Sequence, residues 1–343
     1  MQKPDIRDIP VTELEKYLQQ RQEHTFRAKQ IQEWLWKKAA SSFEEMTNLP
    51  VSLRQSLADS FDIRRILIEA EQKSADETTK VRFRLFDGNR VEGVLIPAKK
   101  RVTACVSSQC GCSLDCRFCA TGQMKLARNL SAGEIFQQVV LLNQKAEVRY
   151  GRPITNIVFM GMGEPLLNYR NVLSAINRIS SPEGLHFSAR RITVSTAGIA
   201  KLIRKLADDQ VRFELALSLH AANDAVRSKI MPINDSNPID QLMDALDYFY
   251  RLTGNKITFE YILFDGINDS PEDARQLVDL CRRVPAMVNI IEYNPVQGLP
   301  FRQSPLKKRE AFVRILESRG ITAKVRLSRG KDIDAACGQL ANK

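Results

Sequence analysis

The chain has 343 residues, 43% of them hydrophobic and 27% charged, a globular composition with length for one large domain and a smaller one. Charges occupy the N-terminus where a secretory leader needs an apolar stretch, and no later apolar run approaches a membrane span, so a cytoplasmic protein without membrane contact is expected. The formal net charge of +11 favours partners with a phosphate backbone, RNA or DNA, because bound Lys and Arg release counterions.

From residue 11 to about 61 the apolar residues Phe26, Ile31, Trp34 and Leu35 recur at helical spacing, and Phe43, Met46 and Leu49 follow before Pro50. A small helical domain over 1–61 is expected. Between 66 and 96 the pattern turns extended, with runs at 81–85 and 91–96 around a turn at Asp87-Gly88-Asn89, which predicts a β-hairpin linker over 62–97. Residues 98–343 alternate strand-like and amphipathic stretches, with strands expected at 154–160, 191–195, 213–219, 257–263, 288–293 and 321–327. Such alternation predicts an α/β fold built on a parallel sheet, open or curled into a barrel. Ser131-Ala-Gly-Glu134 is a capping-box pattern at the start of a helix.

Five of the seven cysteines fall between 105 and 119, and without an export signal such clustering points to metal or redox chemistry rather than a disulfide framework. Cys112-Ser-Leu-Asp-Cys116-Arg-Phe-Cys119 puts three thiolates on one loop. Structural zinc would want a fourth ligand, which Cys105 or Cys110 could supply, although no second cysteine pair lies downstream. An iron–sulfur cluster takes cysteine thiolates as ligands, and three on a four-iron cluster leave one iron open for a substrate.

The C-x3-C-x2-C spacing, with Phe118 before its last cysteine, resembles the radical S-adenosylmethionine superfamily. That resemblance implies a partial (β/α)6 barrel. It also implies one [4Fe-4S] cluster held by Cys112, Cys116 and Cys119, with S-adenosylmethionine on the open iron as the source of a 5′-deoxyadenosyl radical. Gly161-Met-Gly163-Glu164-Pro165 after the 154–160 strand looks like the superfamily's Gly-Glu-Pro motif. By the same resemblance Gly163, Glu164, Ser195, Ser218, Leu219, His220 and Asn294 are assigned to S-adenosylmethionine. Neutral hydrogen bonding is expected of His220, since with only His24 and His186 besides, a histidine metal site has little support.

Cys105-Val-Ser-Ser-Gln109, Arg128-Asn-Leu130, 161–168, Ser218–His220, Met231-Pro-Ile-Asn234 and Asp332-Ile-Asp-Ala-Ala-Cys337 narrow the resemblance to the radical RNA adenine methyltransferases across nearly the whole chain. Pro165 favours the group that methylates C2 of adenosine in 23S rRNA, and in some tRNAs beside the anticodon, over the sister group that methylates C8 and gives antibiotic resistance. The narrower resemblance implies a route through the protein: Cys337 takes a methyl group from one S-adenosylmethionine, a second supplies the radical, and Cys105 resolves the RNA adduct through a transient disulfide with Cys337. It makes Glu92 the proton acceptor, although the local sequence there reads as a surface carboxylate. It also implies a flavodoxin-like reductant that resets the site, RNA rather than DNA as the partner, and a helical domain that helps bind it. Cys281 reads as a buried helix residue beside Leu277, Val278 and Leu280.

The basic clusters Lys37-Lys38, Arg64-Arg65, Lys99-Lys100-Arg101, Arg190-Arg191 and Lys307-Lys308-Arg309 suit phosphate contacts. Two other classes stay open at this point: a zinc-containing RNA-binding protein without catalysis, and a radical enzyme acting on a small molecule or protein.

Overall fold

A computed structural model describes residues 3–342. The chain opens with α1 (Val11–Gln19), α2 (Phe26–Trp36) and α3 (Val51–Ser60). Their buried faces, Leu14 and Leu18, Ile31, Leu35 and Trp36, Leu53 and Leu57, close over Phe43, Met46 and Leu49 from the intervening loop. Phe26 departs from the expected pattern and is 54% exposed. The buried stripe of α2 runs Ala28, Ile31, Leu35, and a residue two positions before Ala28 projects from the opposite side of the helix. Trp36 meets Phe136 edge-on at 5.1 Å between centroids, which ties the helical unit to the remainder.

The stretch expected as a hairpin forms three antiparallel strands, β1 (Leu67–Lys73), β2 (Thr79–Arg84) and β3 (Arg90–Pro97). Gly88, at φ +83°, makes the β2–β3 turn. β3 pairs antiparallel with β4 (Val102–Cys105), so these strands extend the main sheet directly. A small ladder of β5 (Gln109–Cys110) and β6 (Arg128–Asn129) brackets the cysteine loop.

Helices and strands then alternate: α4 (Ala132–Tyr150), β7 (Asn156–Phe159), α5 (Tyr169–Ser180), β8 (Ile192–Thr196), α6 (Ala200–Asp208) and β9 (Glu214–Ser218). α7 (Asp224–Ile230), α8 (Ile239–Thr253), β10 (Ile257–Leu263), α9 (Pro271–Arg283), β11 (Ala286–Glu292), α10 (Leu306–Ser318) and β12 (Ala323–Arg326) complete the order. The sheet runs β1-β2-β3-β4-β7-β8-β9-β10-β11-β12, and β4 with β7 to β12 are parallel. The result is the expected partial barrel, with short β4 as a further parallel strand.

Period-2 geometry explains how the sheet presents chemistry. On β10, Phe259, Tyr261 and Leu263 join the main core, whereas Glu260 and Ile262 line a cavity on the other face. α4 starts with the expected capping box: Ser131 Oγ accepts from the Glu134 N–H at 3.2 Å and Glu134 Oε2 accepts from the Ser131 N–H at 2.9 Å. No helix among the described residues is long and apolar enough to cross a membrane.

Candidate cofactor and thiol site

A cavity lies at the carboxyl ends of the parallel strands, where strand residues give way to loops. Cys112, Cys116 and Cys119 share its wall with Gly163, Glu164, Ser195, Ser218, His220, Glu260, Arg326 and Cys337. The expected cluster cysteines, most of the residues expected at S-adenosylmethionine, and Cys337 are therefore gathered in one place. Leu219 and Asn294 are not on that wall. The Leu219 N–H donates to the Glu260 carbonyl at 3.0 Å and its side chain is buried. Asn294 Nδ2 donates to the Cys337 carbonyl at 3.4 Å, while its Oδ1 is buried without a partner among the described residues.

Each thiol of the triad is held above its usual pKa by burial: Cys112 at about 11, with Glu164 and Cys119 adding negative charge, and Cys116 well above its usual value, with Cys119 and Cys112 beside it. Burial also raises Cys119, against backbone N–H groups of Gly122 and Thr121 that favour its thiolate. Three crowded sulfurs that resist ionisation call for positive charge between them, and an iron–sulfur cluster provides it. Among the described residues no three His, Cys, Asp or Glu side chains are gathered for a single ion. A cubane takes one thiolate on each of three irons, so the donor set fits it.

The Gly-Glu-Pro loop is built by close approach. Gly163 has φ +94°, and a Cβ there would sit 2.4 Å from Gln109 Cβ. Gln109 Oε1 accepts from the Glu164 N–H at 2.7 Å, which links the segment after Cys105 to the loop. Glu164 is 3% exposed; its Oε1 accepts from the Leu166 N–H at 3.0 Å and its Oε2 from the Ala197 N–H at 2.8 Å. Burial still raises its pKa.

His220 sits in the left-handed region at φ +55°. Its Nδ1 accepts from the Ile262 N–H at 3.1 Å and its ring meets Phe118 edge-on. Burial, helped by nearby Arg227, lowers its pKa to about 3, so the ring is neutral as expected.

Cys337 also lines a second, smaller cavity together with Cys105, Met160 and Arg326. Cys105 is buried, and burial together with nearby Cys337 pushes its thiol up to about 12. The seven cysteines are all free thiols. Cys281 is buried on α9 as its spacing predicts.

Sequence reasoning missed three charged residues. Arg227 is fully buried and joins strand-end loops: Nε donates to the Leu219 carbonyl at 3.0 Å, Nη1 to Asn234 Oδ1 at 2.8 Å, and Nη2 to the Ala197 and Ser218 carbonyls. Glu260 and Arg326 meet at 3.9 Å within the cavity. Burial raises the Glu260 pKa, and its Oε2 has no hydrogen-bond partner among the described residues. Nearness to Cys337 raises the pKa of Arg326. The Met231–Asn234 motif could have pointed to Arg227 through Asn234. Isolated charges inside β10 and β12 gave no signal.

Glu92 is not a surface residue. It is 0% exposed, lies 3.4 Å from Lys80 Nζ, and lines neither cavity. The basic clusters are also sorted by the fold. Lys99–Lys100–Arg101 and Arg190–Arg191 precede β4 and β8, at the edge opposite the cysteines. Lys308 and Arg309 are committed to Asp265 and Glu292, and Arg64 packs on Phe86.

A parallel partial barrel with a cysteine triad and a Gly-Glu-Pro loop at its carboxyl edge defines the radical S-adenosylmethionine class of enzyme. A model of the Radical SAM superfamily matches residues 106–279, and one described as the ribosomal RNA large subunit methyltransferase N-terminal domain matches 4–63. A probable dual-specificity RNA methyltransferase RlmN of Cytophaga hutchinsonii is 53% identical over 100% of this chain and 94% of that protein. The dual-specificity RNA methyltransferase RlmN of an Anaeromyxobacter species is 46% identical over 99% and 91%. A crystallised radical SAM methyltransferase from Sphaerobacter thermophilus superposes with a TM-score of 0.92 at 42% identity, covering 99% of this chain and 100% of that one. The chain belongs to the RlmN-like family of radical SAM methyltransferases, whose cofactors are a [4Fe-4S] cluster and S-adenosylmethionine.

Proposed function

We propose that this cytoplasmic enzyme methylates C2 of an adenosine in 23S rRNA and of the adenosine beside the anticodon in tRNA. The observation that carries the reading is the position of Cys337 on the wall of both cavities, facing the cysteine triad in one and Cys105 in the other. A thiol placed so can collect a methyl group on the cofactor side and deliver it to a base on the other. That arrangement favours transfer through the protein over direct transfer from cofactor to substrate.

Cys112, Cys116 and Cys119 would hold the cluster, and Gly163, Glu164, Ser195, Ser218 and His220 the S-adenosylmethionine, with Leu219 acting through its backbone and Asn294 through its unpartnered Oδ1. The bound cofactors supply a methyl group and a carbon radical, two S-adenosylmethionine molecules being used per turnover. Cys337 carries the methyl carbon as a thioether. Arg326 lines the cavity beside both thiols and opposes the burial that raises the Cys105 pKa. Cys105 would release the product by forming a disulfide with Cys337, which an external flavodoxin-like reductant would reopen. The target base must leave its stack to reach sulfurs set this deep.

Reconstituted enzyme incubated anaerobically with unmodified 23S rRNA and tRNA should yield 2-methyladenosine on nucleoside mass spectrometry. 8-Methyladenosine instead would move the protein to the sister activity, and no methyladenosine from an intact cluster would reject the substrate.

A further inference from the structure

Glu92 lies on β3 and is fully buried, yet its carboxylate serves the far end of the chain. Its Oε2 accepts from the N–H groups of Ala341 at 3.0 Å and Asn342 at 3.1 Å, across 249 and 250 residues. Lys80 Nζ, on the neighbouring strand, stands 3.4 Å from Oε1. β3 itself and its neighbour β2 add two more contacts to the same segment: Asn342 Nδ2 donates to the Arg90 carbonyl at 2.9 Å, and Arg82 Nη1 to the Asn342 carbonyl at 3.3 Å.

This segment also carries Cys337. Between Cys337 and Asn342 it is held to the cysteine loop, where the Gly338 carbonyl accepts from the Ala120 N–H at 2.7 Å and the Leu340 carbonyl from Thr121 Oγ1 at 2.6 Å. Gln339 Nε2 donates to the Pro295 carbonyl at 3.1 Å. These are single bonds between neutral groups. The grip of Glu92 is a charge-assisted pair of bonds from a fully buried carboxylate, the strongest kind available to a backbone amide.

We propose that Glu92 is a positioning residue: with Lys80 as its counter-ion, it clasps the C-terminal segment and thereby fixes where Cys337 stands between the two cavities. It acts on the reaction through Cys337 and does not itself accept a proton. This rests on Cys337 being the methyl-carrying thiol, so the test needs readouts that do not depend on RNA.

The decisive variant is Glu92→Gln combined with Lys80→Met in the reconstituted full-length enzyme. The amide oxygen of Gln still accepts two N–H bonds, and removing the ammonium spares the Gln amide NH2 a facing hydrogen-bond donor. The pair keeps the clasp and loses the ionisable group. In this variant the amides of Ala341 and Asn342 should exchange hydrogen as slowly as in the unaltered protein, Cys337 should react with iodoacetamide at an unchanged rate, and methylation should stay within about threefold. Glu92→Ala should raise both exchange and Cys337 alkylation by about tenfold or more, as expected when two charge-assisted bonds no longer oppose local opening.

If the double variant keeps its amides protected but no longer methylates RNA, Glu92 transfers a proton and the proposal is overturned. Should that variant fail to fold, the unaltered enzyme still decides. Freely exchanging Ala341 and Asn342 amides would mean there is no clasp, and protected amides that Glu92→Asp releases, its carboxylate being one methylene short, would uphold it. Loss of methyladenosine from the unaltered enzyme would reject the RNA reading and leave the exchange and alkylation results standing.

Discussion

At the scale of single residues, the site depends on charges that the protein buries and then compensates. Arg227 spends its guanidinium on carbonyls of the strand-end loops, and burial lowers its pKa to about 10. His220 beside it is kept neutral, with consequences for stability. Well above pH 6.5 the imidazole is neutral in both folded and unfolded chains. As pH falls below 6.5 the unfolded chain gains a proton that the folded chain refuses until about pH 3, so stability falls with acid across that window. The loss attributable to His220 should be about 1 kcal/mol between pH 6.5 and 5.5. Anaerobic urea unfolding at the two pH values measures it, and His220→Asn should lack that share of the slope. An identical slope in the variant would mean that the buried imidazole takes up its proton in the folded state.

At the scale of elements, the turn after β7 shows how little room the cofactor loop leaves. Gly163→Ala would drive a methyl group into Gln109 at a φ of +94°, and the side chain that yields is the one accepting from the Glu164 N–H. We expect a loss of about 2 kcal/mol in stability and S-adenosylmethionine binding at least about tenfold weaker, read by calorimetry on reconstituted protein; unaltered affinity in the variant would separate this loop from the cofactor. The loop itself was legible in sequence, because the Gly-Glu-Pro motif and the strand before it are local patterns. So were the expected parallel strands and the α4 capping box. Other features could not be read locally. The pairing of Glu92 with Ala341 and Asn342 spans 249 and 250 residues, and in sequence a carboxylate inside a strand looks like a solvated one. Glu260 and Arg326 were missed for the same reason. Short β4 was hidden because four residues are too few to establish a period. The grouping of Phe26 with Ile31, Trp34 and Leu35 failed because several registers fit a short amphipathic helix.

At the scale of the whole molecule, the net charge of +11 can serve an RNA substrate only where the surface reaches the cavity mouths. The fold discriminates among the basic residues more sharply than their clustering in sequence does. Lys99, Lys100 and Arg101 are exposed but stand before β4, on the edge away from the cysteines. Arg117 lies within the cysteine triad, Lys125 on the loop that packs beside Cys112, and Arg329 on the wall of the Cys105 cavity, all three exposed. On the proposed reading, an adenosine extruded toward Cys337 would carry its flanking phosphates past these three residues. Replacing Arg117, Lys125 and Arg329 with Gln should therefore weaken RNA binding and lower the slope of log Kd against log salt by about 2, three lost phosphate contacts at about 0.7 each. Replacing Lys99, Lys100 and Arg101 should leave that slope nearly unchanged. Filter binding from about 50 to 200 mM salt distinguishes the two sets. The reverse ranking would place the RNA along the amino edge of the sheet, and the path of the target base to Cys337 would have to be redrawn.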